Sequence, residues 1–260
     1  MGTRLTSAFL LGLAALLLVR CGSEPAAPRS TPKPTEIQKA RVAAPAFNAD
    51  SAYAYIAKQV AFGPRVPNTP EHVACGDWLS RELTRHGADV IEQPGLVRAY
   101  DGTILRIRNF IGQFRPENRE RILLFAHWDT RPFADKDTLR MREPIDGAND
   151  GGSGVGVLLE IARLLGADST LDVGVDIVFF DAEDYGTPEW GEKNQNSALT
   201  WCLGSQYWAN QPHRIGYNAK YGILLDMVGA EGAVFNKEGT SMAYAPTVVK
   251  RLWESAERLG

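Results

Sequence analysis

The 260-residue sequence has no excess of positive charge: 28 Lys and Arg against 31 Asp and Glu leave a net charge of −3. A nucleic-acid partner needs a basic patch, so that class is excluded. No run of five like charges occurs, which removes an acidic or basic tail. Cysteine is scarce, at three residues. With Cys21 set aside, Cys75 and Cys202 leave room for one disulfide or for two buried free thiols. No internal repeat is visible. The apolar run Ala8–Val19 falls short of the roughly 20 residues that cross a bilayer. What remains, 44% hydrophobic and 23% charged, is the composition of an ordinary globular chain. The length suits one sizeable domain with an N-terminal extension.

That extension divides in two. Residues 1–21 read as a signal peptide, with Ala8–Val19 as its apolar core. Leu18-Val19-Arg20-Cys21-Gly22 is similar to a bacterial lipoprotein cleavage box, with Cys21 as the lipidated residue, although Arg20 stands where a small residue is usual. Residues 22–47, rich in Pro, Ala and Ser without an apolar period, cannot bury a core and read as a disordered tether. The expectation is an exported protein of the periplasm or cell envelope, held to a membrane as a lipoprotein.

Residues 48–260 carry the folded domain. Apolar spacing predicts a helix over 50–60 with Tyr53, Ile56 and Val60 inward. A second helix, 71–86, would bury Val73, Trp78, Leu79 and Leu83 and close at Gly87. Shorter β-type segments follow at 89–93 and 104–114, either side of an Asp101-Gly102 turn. Strands are predicted at 122–126, 173–180 and 221–225, and a helix at 246–259. Near-continuous apolar runs alternating with helices imply an α/β fold: a mostly parallel central sheet flanked by helices on both faces.

In such a sheet the ligand crevice lies at the carboxyl ends of the strands. Three strands end there in His127-Trp128-Asp129, Glu183-Asp184 and Asp226, while Asp150 opens the helix after the first. Singly these residues have plainer roles: an N-cap for Asp150, a turn cap for Asp226, a core histidine for His127, a solvated pair for Glu183-Asp184. Together, five carboxylates would repel one another unless a cation sat among them. A histidine with carboxylates and no thiolate favours zinc, with manganese or cobalt as alternatives.

At these residues the sequence resembles the zinc-dependent M28-type aminopeptidase superfamily, through HWD (127–129), GANDGGSGVGVLLEIAR (147–163), the acidic step at 179–184 and LLDMVG (224–229). Within it the chain is similar to the animal-type glutaminyl-peptide cyclotransferases (glutaminyl cyclases) and their bacterial lipoprotein-like members. That narrower likeness rests on FGPRVPNTP (62–70), Leu203-Gly204-Ser205, Phe235 and Trp190. The resemblance implies a zinc-exopeptidase-like fold and zinc ligands at Asp150 and Asp184, the latter where many relatives have Glu. It implies Glu183 as general acid/base, Asp226 as support for the substrate amine, and Trp190 as a wall of the substrate pocket. His127 would bind a second metal in an aminopeptidase and be kept without one in a cyclase.

The family's remaining ligand, a histidine, is expected beyond residue 260. His213 lies ahead of strand 221–225 and so at the other sheet edge, and His72 and His86 are placed on helix 71–86 away from the site. The domain is accordingly expected to be incomplete at its C-terminus. The implied reaction converts the N-terminal Gln of a peptide or protein to pyroglutamate with loss of ammonia, using one zinc. The alternatives are a two-zinc aminopeptidase acting on peptide N-termini and a non-catalytic binding module of the same fold.

Overall fold

The computed structural model describes residues 44–192 and 195–259. The segment expected to be a signal peptide, the expected lipidation site Cys21 and most of the expected tether lie outside the described residues. Among the described residues no helix is long and apolar enough to cross a membrane.

Helix α1 (Ala49–Val60) begins at Asn48, whose side chain accepts from the Ser51 N–H. It packs on the helix that spans Gly152–Ala167 through its small face, where Ala52 and Ile56 meet Gly156. Tyr53, expected inward, is 73% exposed, because that contact has no room for a ring. Helix α2 (Pro70–Arg85) is capped by Thr69, with Pro70 in its first turn. Its buried stripe is His72, Cys75, Trp78, Leu79 and Leu83. Val73, also expected inward, lies one step off that stripe and is 49% exposed. Gly87 then leaves the helix at φ +85°.

The two segments expected to be short are the longest strands. β1 (Asp89–Arg98) and β2 (Ile104–Phe114) form an antiparallel hairpin with Arg98 opposite Ile104. β3 (Arg121–His127), helix α3 (Gly152–Ala167) and β4 (Gly174–Phe180) follow as a parallel crossover, and β5 (Gly222–Leu224) adds beside β3. The order is β1-β2-β4-β3-β5, and only β2 opposes the common direction. Four of the five strands thus run in one direction, as expected of a mostly parallel sheet, while β2 makes antiparallel pairs with both β1 and β4.

Every residue of β4 is buried. Val175, Ile177 and Phe179 face α2 and α3, while Val178 and Phe180 face away, towards Trp208 of helix α4 (Leu203–Asn210). Covering both faces is why the strand carries no polar alternation. The chain ends in α5 (Gly239–Tyr244) and α6 (Pro246–Leu259), the latter with the limits expected. Cys75 and Cys202 are both free thiols.

At the amino ends of the parallel strands, buried Asp176 accepts from Arg121 at 2.6 and 2.7 Å, from Gln113 at 3.1 Å and from Tyr217 at 2.8 Å. His213 belongs to this end, 3.3 Å from Gln113 Nε2, as its position before β5 implied. Burial opposes the Asp176 charge, yet Arg121, Tyr217 and Gln113 hold its pKa below the ordinary 3.8. A carboxyl depressed on folding stabilises the fold above its unfolded value. That contribution falls away as pH drops below about 4 towards the folded value. Asp176→Ala would strand the Arg121 guanidinium and is expected to cost roughly 3–5 kcal/mol at neutral pH, read as a lowered urea midpoint. The gap to wild type should narrow as pH falls below 4.

Candidate metal and catalytic centre

Three parallel strands deliver their carboxyl ends to one edge, and the segments that follow each strand finish the arrangement. β3 runs into His127 and Asp129, both buried. Neither ring nitrogen of His127 has a hydrogen-bond partner. Nε2 lies 3.1 Å from Asp150 Oδ1 and 3.5 Å from Asp226 Oδ1, and Nδ1 lies 3.5 Å from Asp129 Oδ1, all without hydrogen-bond alignment. Ligand atoms of His127, Asp150 and Asp226 all fall within 4.8 Å of one another.

Asp129 is not a free ligand. Its Oδ1 accepts the Glu183 N–H at 3.0 Å and its Oδ2 the Asp184 N–H at 3.1 Å. Both oxygens are committed to the acidic turn after β4, so this residue shapes the site rather than filling it. Arg131 holds the same turn from outside, donating to the Asp184 carbonyl at 3.0 Å, with its Nη1 3.4 Å from Asp184 Oδ1. Asp184 Oδ2 is buried and has no partner.

Asp150 is not the N-cap of α3. That position belongs to Gly151, at φ +78°, and no side chain caps the helix. The carboxylate is therefore left for other use. A Cβ on Gly151 would sit 2.5 Å from the Asp129 carbonyl, and one on Gly154 would sit 2.1 Å from that of Leu225. The glycine run thus lets α3 approach two strand ends closely. From this loop Asn149 Oδ1 accepts the Gly229 N–H at 2.8 Å and Ser153 Oγ the Val228 N–H at 2.9 Å. These bonds fix the segment that carries Asp226. Arg65, fully buried, clamps the same loop through the carbonyls of Asp146 and Gly147.

The electrostatics follow from crowding. Burial and the Asp150, Asp129 and Glu183 carboxylates push Asp184 up to about 8. Burial raises Glu183, with Asp129 and Asp226 adding to it and His127 opposing. Burial works against protonated His127, but Asp129, Asp150 and Asp226 outweigh it and hold its pKa well above the ordinary 6.5. Contact with His127 lowers Asp226. An unpartnered buried carboxylate oxygen, two unpartnered imidazole nitrogens and converging carboxylates fit a divalent cation, and this donor set suits zinc.

Three features escaped the sequence. His72 is not remote: its Nε2 lies 2.9 Å from both carboxylate oxygens of wholly buried Asp181, and its ring stacks on Trp128 at 4.3 Å. The pair sits directly behind the acidic turn. His86, by contrast, is away from it, 2.9 Å from the Tyr55 hydroxyl. Cys202 donates its thiol hydrogen to Glu183 Oε1 at 3.1 Å. Trp190 stands apart from the charged cluster, edge-on to Phe133 at 5.3 Å with the Arg142 guanidinium 4.5 Å over its ring. Its link to the site is indirect. The Glu189 N–H donates to Asp135, which binds the Arg131 that holds Asp184.

Asp129→Asn would set an amide NH2 against one of the two N–H donors of the acidic turn. It is expected to lower kcat or zinc affinity about 10- to 100-fold, as losses of ligand-orienting contacts do, read by steady-state kinetics and zinc titration.

Residues 109–260 match peptidase family M28. Among solved structures, a Zn-dependent exopeptidase from Parabacteroides distasonis is 57% identical, with TM-score 0.81, over 84% of this chain and 74% of that one. A glutaminyl cyclase from Tannerella forsythia is 58% identical, with TM-score 0.80, over 83% and 74%. The Bacteroides thetaiotaomicron glutaminyl cyclase bound to N-acetylhistamine is 55% identical, with TM-score 0.81, over 84% and 75%. No curated protein matches. The acidic edge, the sheet that builds it and these similarities agree: the chain belongs to peptidase family M28.

Proposed function

We propose that this enzyme is a glutaminyl-peptide cyclotransferase, closing the N-terminal Gln of peptides or proteins to pyroglutamate with release of ammonia. The observation that carries the reading is Glu183. It is a half-buried carboxyl with a raised pKa just beyond β4, in a chain 55–58% identical to two bacterial glutaminyl cyclases. A carboxylate whose proton affinity is raised in this way is suited to take a proton and give it back, which cyclisation requires.

Asp150 and Asp184 would hold zinc, whose contribution is Lewis-acid polarisation of the substrate's side-chain carbonyl. Glu183 accepts the proton of the α-amine as its nitrogen bonds to the side-chain carbonyl carbon. It then returns that proton to the departing nitrogen as the C–N bond breaks, so ammonia leaves and Glu183 is regenerated. Asp226 orients the amine, and Trp190 lines the entrance for the peptide. Export and anchoring through Cys21 belong to the same proposal, with the enzyme meeting its substrates in the cell envelope.

The convergence of His127, Asp150 and Asp226 favours a second reading, a two-zinc aminopeptidase. There Asp226 would be a ligand rather than an amine support, and Glu183 would activate water. Incubation with Gln-initiated and Leu-initiated peptides separates the two. The cyclase yields ammonia and pyroglutamate from the first and leaves the second intact; free Leu without pyroglutamate would assign the aminopeptidase. Glu183→Gln is expected to lower kcat about 10²–10⁴-fold, the usual worth of a general acid–base, with zinc still bound. A chelator should abolish turnover and added zinc restore it.

A further inference from the structure

Glu183 is held on both sides. Asp129 fixes its backbone N–H, and the start of α4 fixes the rest of the turn: Cys202 N–H donates to the Glu183 carbonyl at 2.9 Å, Leu203 N–H to that of Ala182 at 2.9 Å and Gly204 N–H to that of Asp181 at 3.0 Å. A Cβ at Gly204 would lie 2.1 Å from the Asp181 carbonyl, so the two segments are in backbone contact. To enter α4 along this path Cys202 adopts φ +56°, and its thiol is thereby aimed at Glu183 Oε1, 3.1 Å away. Burial and the neighbouring carboxylate push the thiol pKa up to about 12, so it stays protonated and acts only as a donor. No other hydrogen bond engages the Glu183 carboxylate among the described residues, which leaves Oε2 free.

We propose that Cys202 is a positioning residue for the proton carrier: its S–H anchors Oε1, fixes the Glu183 rotamer and reserves Oε2 for exchange with substrate. The thiol touches no reacting atom and acts through Glu183 alone. The inference rests on Glu183 being the proton carrier, a role common to the cyclase and the aminopeptidase.

The test uses the full chain with Cys202→Ala, Cys202→Ser, Glu183→Gln and the Ala–Gln double variant, assayed on Gln- and Leu-initiated peptides with zinc content and Tm alongside. Ala and Ser meet the same φ restriction as Cys, so backbone strain is constant. A hydrogen bond to a charged group is worth enough that Cys202→Ala should lower kcat about tenfold with KM within about twofold. Cys202→Ser, which keeps a donor, should recover most of the loss, and Cys202→Ala should cost nothing further in the Glu183→Gln background. Wild-type kcat in Cys202→Ala, an equal loss in Ala and Ser, or a loss that tracks lowered zinc or Tm would overturn the proposal. Full activity in Glu183→Gln would instead sink the assignment of Glu183 itself.

Discussion

Mutual repulsion among Asp129, Asp150, Glu183, Asp184 and Asp226 at one sheet edge is the constraint that everything else in this domain answers. Two unit charges 4 Å apart near a protein surface interact by about 4 kcal/mol, and several such pairs compete with the whole stability of a domain. The chain meets this in three ways. Asp129 spends both oxygens on backbone N–H groups. Basic groups stand among the carboxylates, with His127 in their midst and its pKa raised by them, Arg131 on Asp184 and Arg65 beneath the Asp150 loop. What is left appears as a raised Asp184, a group that a divalent cation would return to its ionised form.

Holding such a cluster also takes local strain. Of the five non-glycine residues with positive φ among the described residues, three border the site: Ala182 before Glu183, Cys202 against it, and Met227 after Asp226. Conformations of this kind cost about 1–3 kcal/mol each and persist where surrounding contacts over-determine them. Here the over-determination is visible. The Asp181–Asp184 turn is bound by Asp129, Arg131, the start of α4 and the His72–Asp181 pair. The Asp226 segment is bound by Asn149 and Ser153. The apolar layers on both faces of β4 give those contacts a rigid base.

The sequence made legible whatever lies along one element. Apolar runs marked β3, β4 and β5, and their polar ends named His127, Glu183, Asp184 and Asp226 in advance. What depends on two elements meeting was hidden. The 3.6-residue period cannot say that α1 docks by Ala52 and Ile56, so it points Tyr53 inward, and Val73 likewise, where both are exposed. Nor does a helix position reveal that His72 reaches Asp181 across 109 residues, or that Asp129 is an acceptor rather than a ligand. On sequence alone the thiol of Cys202 reads as a disulfide half or a core residue. Its use follows from an αL turn that no local pattern announced.

If the carboxylate cluster exists to hold a divalent cation, zinc should drive out the protons that crowding retains there. The most direct measurement is zinc titration of the chelator-stripped protein in weak buffer at pH 7, following proton release and Tm together. At least one proton should be released per zinc bound at the first equivalent, with a rise in Tm, and both effects should be diminished in Asp184→Asn. Zinc that leaves pH and Tm unchanged, or acts equally on Asp184→Asn, would contradict that role of the cluster.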